Sequence, residues 1–201
     1  MMYTTPFPPT QAIDFVNPPP SKSSACNDQD DNVDIRLMQN LACGDEQALA
    51  QLMKRWERPL LAFLYRGCGS YPDAEDLAQT TFLRIYRSAH RYRPDAKFST
   101  YLFHIAHKLL LNHYRTQKRK PSQAYPPEEM PEPGAGAGST PDPYEEEKER
   151  FEQALACLSP KEKSALLLLV QQELSYEEIA AALQCRISTV KSRIHRARQT
   201  L

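Results

Sequence analysis

The stretch Ser175-Tyr-Glu-Glu-Ile-Ala-Ala-Ala-Leu183-Gln-Cys-Arg-Ile-Ser-Thr-Val190-Lys-Ser-Arg-Ile-His-Arg-Ala-Arg-Gln-Thr200 decides the fold of this chain. Ser175 and Glu178 form a capping box, in which each side chain satisfies the other residue's backbone amide at a helix start. The short helix that follows has Ile179, Ala180 and Leu183 inward. Gln184 to Ile187 reads as a turn, and a second helix is expected from about Ser188 to Thr200. Its Val190, Ile194 and Ala197 recur at steps of four and three, so they share the buried face. Thr189, Lys191, Ser192, His195, Arg196 and Gln199 then face outward. Lys191, Arg193, Arg196 and Arg198, with Arg186 in the turn, leave this segment basic and free of acids. A short helix, a tight turn and a basic second helix make a helix-turn-helix. In such a motif Arg and Lys can read guanine edges in the major groove. Cys185 falls where the turn needs a small apolar residue, which is a packing role.

Working upstream, Ser159-Pro-Lys-Glu162 is another capping box, with proline at the first helical position. It opens a helix carrying Leu166 to Val170. Before it, seven prolines fall in residues 121–143, together with Gly134, Gly136 and Gly138. Six more prolines fall in residues 1–20. Neither stretch has a repeating apolar face. Residues 1–30 therefore read as a disordered tail, and 121–144 as a flexible Pro/Gly-rich acidic linker. They bound two helical modules, 31–120 and 145–201.

The first module is helical in pattern throughout. Ile35, Leu37, Met38 and Leu41 suit a first helix closed by Gly44. Leu49, Leu52, Met53, Trp56, Leu60, Leu61 and Leu64 suit a second, starting near Asp45 and stopped by Gly67-Cys-Gly-Ser70. Pro59 is a candidate kink in it. Pro72 and Asp73 begin a third, with Leu77, Phe82, Leu83, Ile85 and Tyr86 on its apolar side. Ser99 or Thr100 is expected to cap a fourth, over about 100–118, with Leu102, Phe103, Ile105, Ala106, Leu109 and Leu110 inward. Residues 84–120 hold ten Lys/Arg and one acid, Asp95, interleaved with Tyr86, Tyr92, Phe98, Tyr101, Phe103 and Tyr114. Basic residues neutralise phosphates and aromatic faces stack on unpaired bases, so this surface suits melted nucleic acid. Phe103 and Tyr86 read as core; Tyr92, Phe98 and Tyr101, near the loop 91–99, read as functional. His104 and His107 lack a third metal ligand and read as surface or base-stacking residues.

Charge needs the same partition. The chain has 25 basic and 25 acidic residues in 201, a net of zero, which taken whole argues against a nucleic-acid partner. By segment the nets are −3 for 1–33, +7 for 34–120, −7 for 121–152 and +3 for 153–201. The modules are basic; the tail and linker are acidic. The longest aliphatic run, Ala165 to Val170, is far short of a membrane span. No secretory signal pattern is visible at the N-terminus. Cysteines 26, 43, 68, 157 and 185 are scattered, with no Cys-x-x-Cys, so neither a disulfide framework nor a zinc site is expected.

With both modules read, the chain resembles the extracytoplasmic-function (ECF) sigma factors, the compact sigma subunits of bacterial RNA polymerase that keep only regions 2 and 4. The residues that carry the resemblance are Asp73-Ala-Glu-Asp-Leu-Ala-Gln-Thr-Thr-Phe-Leu-Arg-Ile-Tyr86, Phe98-Ser-Thr-Tyr-Leu-Phe-His-Ile-Ala106, Leu158-Ser-Pro160, and the stretch quoted first. It covers about 31–118 and 147–201. The resemblance implies an all-α fold of two small helical domains, region 2 and region 4, joined by the linker.

The resemblance also implies roles. The third helix would dock on core RNA polymerase, at the β′ clamp, through Asp73, Glu75, Asp76, Leu77, Gln79, Thr80 and Leu83; region 4 would meet the β flap. The −10 promoter element would be met by Tyr92, Arg93, Lys97, Phe98, Ser99, Tyr101, Lys108 and Arg115. The −35 element would be read by Arg186, Ser188, Thr189, Lys191, Ser192, His195 and Arg196. The acidic linker would run through polymerase channels otherwise used by RNA. An anti-sigma factor is a common partner in the family. No cofactor, metal or catalytic residue is implied, and the site of action would be the bacterial cytoplasm, at the nucleoid in holoenzyme. Tyr101, Lys108, Thr80 and Gln184 depart from the family's usual tryptophan, asparagine, glutamate and turn glycine.

Two other readings compete. A free-standing helix-turn-helix repressor or activator would explain the C-terminal module, but gives the acidic third helix and the aromatic surface no purpose. An enzyme would need a phosphate-binding glycine loop, a metal constellation or a nucleophile paired with a base, and none is present in the sequence.

Overall fold

The computed structural model describes residues 28–119 and 153–200. Most of the expected tail and the whole 121–144 linker lie outside the described residues. Every regular element among the described residues is helical. The first bundle holds α1 (Asp28–Ala42), α2 (Glu46–Cys68), α3 (Tyr71–Ser88), a 3₁₀ turn (Ala89–Arg91) and α4 (Phe98–Arg119). The second holds α5 (residues 153–157), α6 (Pro160–Gln171), α7 (Tyr176–Ala182) and α8 (Ile187–Thr200).

Local chemistry sets most boundaries. Asp45 caps α2 by accepting from the Gln47 amide at 2.9 Å. Gly69, at φ 76°, ends α2 in the left-handed conformation that glycine adopts without a Cβ penalty. Pro59 lies inside α2, which continues through it. Ser70 caps α3 from the residue before Tyr71. Both expected capping boxes are present, at Ser159/Glu162 and Ser175/Glu178.

The core of the first bundle forms where α2 and α4 meet. Phe63, Phe98 and Phe103 are fully buried, and Trp56 packs edge-on against Phe98 and Phe103. Gly67 lets α2 approach closely: a Cβ there would lie 2.6 Å from Leu110 Cδ2. The Tyr114 hydroxyl donates to the Gly67 carbonyl across the same contact. Asp34 of α1 is 1% exposed. It accepts from Arg55 Nε at 2.7 Å and Trp56 Nε1 at 2.9 Å, which ties α1 to α2 through a paired, buried carboxylate.

Three local expectations are corrected. Leu83 and Tyr86 do not face the core of α3; they are 46% and 41% exposed, and Ala74, Ala78, Thr81, Phe82 and Ile85 form the buried side. The small residues let α3 sit close to its neighbours, a geometry that a search for large apolar residues overlooks. Ser99 and Thr100 do not precede α4 as caps; the helix starts at Phe98 and both are buried within its first turn. Finally, α8 starts at Ile187, one residue before the expected boundary.

The two bundles pack directly against each other, α4 against α7 and α6, and α2 against α6. His104 and His107 belong to this contact rather than to the surface, at 2% and 4% exposed. His104 Nδ1 lies 2.9 Å from the Ala182 carbonyl oxygen, and His107 Nδ1 lies 3.0 Å from Ser164 Oγ.

Candidate nucleic-acid interface

Helix α8 is held by three side chains. Val190, Ile194 and Ala197 are buried, while Arg186, Ser188, Lys191, Ser192, His195 and Arg196 are exposed and Thr189 is half-buried. This is the division read from the sequence: one apolar stripe inward, a basic and polar face outward. The preceding turn needs Gln184 at φ 49°, the left-handed region, so a non-glycine residue there carries backbone strain of about 1 kcal/mol. Cys185 is half-buried against the core, and Arg193 Nη1 lies 3.5 Å from its sulfur. Arg196 Nε pairs with Glu162 Oε1 at 3.1 Å while the arginine side chain stays 62% exposed. Glu162 is held below the ordinary carboxylate range first by its hydrogen bond from Ser159, with Arg196 and Arg193 adding to the effect.

The loop before α4 is more enclosed than the sequence implied. Phe98 is fully buried, so it builds the core that supports the loop and offers no face to a base. Tyr92 packs on Phe98 and Tyr101, at ring distances of 6.4 and 5.2 Å. Both tyrosines are half-buried, and burial pushes both phenols up. The Tyr101 hydroxyl sits 2.6 Å from Ser88 Oγ. Arg93 is exposed, Ser99 is buried, Lys108 is half-buried and Arg115 is exposed. Lys97 is drawn into the contact between bundles, 3.3 Å from Asp31 Oδ2 and 3.2 Å from Glu178 Oε1. Burial opposes its charge, but the two carboxylates more than offset this and hold its pKa above the ordinary lysine value.

Helix α3 presents a mixed strip. Asp76, Gln79 and Leu83 are exposed, Asp73, Leu77 and Thr80 are half-buried, and Glu75 projects beside them. Asp73 is also 3.6 Å from His113 Nε2 of α4. Leu83 and Tyr86 are the exposed large apolar residues of this helix, at 46% and 41%.

Residues 52–120 match the family model for Sigma-70 region 2, and residues 148–201 that for Sigma-70 region 4. The RNA polymerase sigma-H factor of Pseudomonas aeruginosa is 30% identical over 176 residues, covering 84% of this chain and 91% of that protein. The ECF RNA polymerase sigma factor SigW of Bacillus subtilis is 30% identical, covering 79% of this chain and 89% of its own length.

The chain belongs to the ECF RNA polymerase sigma factors.

An ECF sigma factor serves in the initiation of transcription, and its relatives are sigma factors, which are not enzymes. Two solved structures have a similar fold. CnrH in complex with the cytosolic domain of CnrY aligns with a TM-score of 0.63 and 23% identity, over 84% of this chain and 94% of that one. The sigma factor RpoE of Bartonella quintana, in complex with the anti-sigma factor NepR, aligns with 0.61 and 26%, over 75% and 92%. The region 2 match begins inside α2, whereas the packed bundle of this sigma factor includes α1, through Leu37, Met38, Leu41 and Asp34. Sequence reasoning missed His104, His107 and Glu178 as contact residues. The available signal was a pair of histidines beside the inward-facing row of α4, which a second packed body buries and supplies with polar partners.

Proposed function

We propose that this ECF sigma factor docks on core RNA polymerase through the exposed strip of α3, meets the −10 element with the loop before α4 and the basic side of α4, and reads the −35 element with α8. The single observation that supports this most is the division of α8, with three buried apolar residues and a solvent-facing set of Lys191, Ser192, His195 and Arg196. In this reading Phe98 and Ser99 position the loop from beneath, and Tyr92, Arg93, Lys97, Tyr101, Lys108 and Arg115 supply its contacts. The domains run 31–120 and 145–201, with 121–144 as tether, and the protein works in the cytoplasm at the nucleoid. An anti-sigma factor is a further partner, by analogy with the complex of RpoE and NepR.

The packed arrangement of the bundles is then a resting form. Promoter elements one to two helical turns apart stand roughly 34–70 Å from each other. Lys97 and Glu178 are 3.2 Å apart, so the two readers share one compact body until that contact opens.

The test is reconstitution. The purified chain should comigrate with core polymerase and direct initiation at a promoter found by transcript mapping after overexpression. Asp76→Arg should weaken core binding by at least tenfold, because it sets like charge against a basic docking surface. A protein that binds duplex operators alone and ignores core polymerase would overturn the reading.

A further inference from the structure

Packing of the two bundles leaves an open-sided cleft of about 450 Å³ between them. Five cationic side chains line it: Arg84 of α3, Lys108 and Arg115 of α4, Lys161 of α6 and Arg193 of α8. Among the described residues no aspartate or glutamate lines it. Among the described residues none of the five takes part in a salt bridge. Arg115 donates only to Asn112 Oδ1, at 3.2 Å, and Arg193 faces the Cys185 sulfur. Glu162, outside the lining, senses the charge of Arg193. Half-buried Leu111 supplies the accessible apolar part of the lining.

The cations are close enough to act on one another. Lys108 is held below the ordinary lysine range by burial and then by Arg84. His107, also in the lining, is pushed down to about 3 by burial and then by Arg193, His104 and Lys161. Positive charge gathered with no counter-charge among the described residues is self-repelling, and a multiply charged anion would relieve it.

We propose that this cleft binds a small polyphosphate anion, of the nucleoside triphosphate class, that bridges the two bundles. Arginine forks match phosphate oxygens two at a time, and the lysines add point charges along the chain. The volume falls within the range of small-molecule sites and is too confined for a duplex. Leu111 offers an apolar surface for a base. Because the cations come from both bundles, the ligand is fully held only when they are closed, so binding and closure are linked. A further consequence, that Lys108 and Arg115 are withdrawn from promoter DNA, rests on the function proposed above; the binding itself does not.

Titration calorimetry on the full chain tests this with three probes at constant ionic strength: sodium tripolyphosphate, magnesium-free ATP, and sulfate. Saturable binding of tripolyphosphate or ATP is expected, at least tenfold tighter than sulfate. Equal affinity of the first two assigns the site to the phosphate chain alone, and tenfold tighter ATP assigns it to a nucleotide; either result upholds a polyphosphate site. Arg84→Gln with Lys161→Gln, both exposed and one in each bundle, should weaken binding at least tenfold with an unchanged helical spectrum. Lys54→Gln with Arg58→Gln makes the same charge change on α2, away from the cleft, and should shift affinity less than twofold. No saturable binding, or equal loss in both double variants, would overturn the proposal.

Discussion

Acidification should open the contact between the bundles. His107 is buried against α6, and burial, followed by Arg193, His104 and Lys161, pushes its pKa from the ordinary 6.5 to about 3. His104 shifts downward too, by burial first, with its bond to the Ala182 carbonyl opposing and Lys108 reinforcing the shift. Both are neutral in the closed form at pH 7.5. A histidine with a depressed pKa contributes no penalty above pH 6.5; as pH falls below that, the open form takes up a proton that the closed form refuses. For His107 alone, going from pH 7.5 to 5.0 favours opening by about 2 kcal/mol, roughly 30-fold. Energy transfer between dyes on Cys43 and Cys157, exposed thiols on the first and second bundles, would report the opening once the other cysteines are replaced by serine. His107→Gln keeps a hydrogen-bonding group toward Ser164 but cannot titrate, so most of the pH response should vanish. The reasoning fails if energy transfer is the same at pH 7.5 and 5.0, or if the glutamine variant responds as fully as the parent.

Arg196→Ala should cost about 1–3 kcal/mol at the −35 element and relax specificity at one position, measured by gel shift with holoenzyme on a panel of promoter variants. Gln184→Gly should raise stability in urea by up to about 1 kcal/mol, since φ 49° suits glycine; an unchanged midpoint would mean that the turn carries no strain. Phe98→Ala should lower stability by about 3–5 kcal/mol, as expected for a fully buried aromatic, and a mild loss would return Phe98 to the list of surface contacts.

Most of the fold was legible because its signals are local. A serine three residues before a glutamate starts α6 and α7 whatever lies around them, and the steps from Val190 to Ala197 fix the buried side of α8 by helical geometry alone. Less legible were features that depend on a second body. His104 and His107 sit in a row that one helix alone would leave at its margin, and only the neighbouring bundle buries them. Leu83 was read inward because it is large and apolar, whereas α3 packs closely through alanines and threonine and leaves the leucine outside. For the −10 face, the expected residues are unequal in position: Phe98 is scaffold, while Tyr92 and Tyr101 are half-buried.

Glu178 accepts from the Ser175 amide at 2.8 Å and, through its other oxygen, holds Lys97. One carboxylate thus starts the first helix of the helix-turn-helix and fastens that motif to the other bundle. Mutational drift at this position cannot loosen the closed form without also fraying the reader it contains. Variants that differ in readiness to open should therefore accumulate changes at Lys97 or Asp31, leaving residue 178 the slower to diverge.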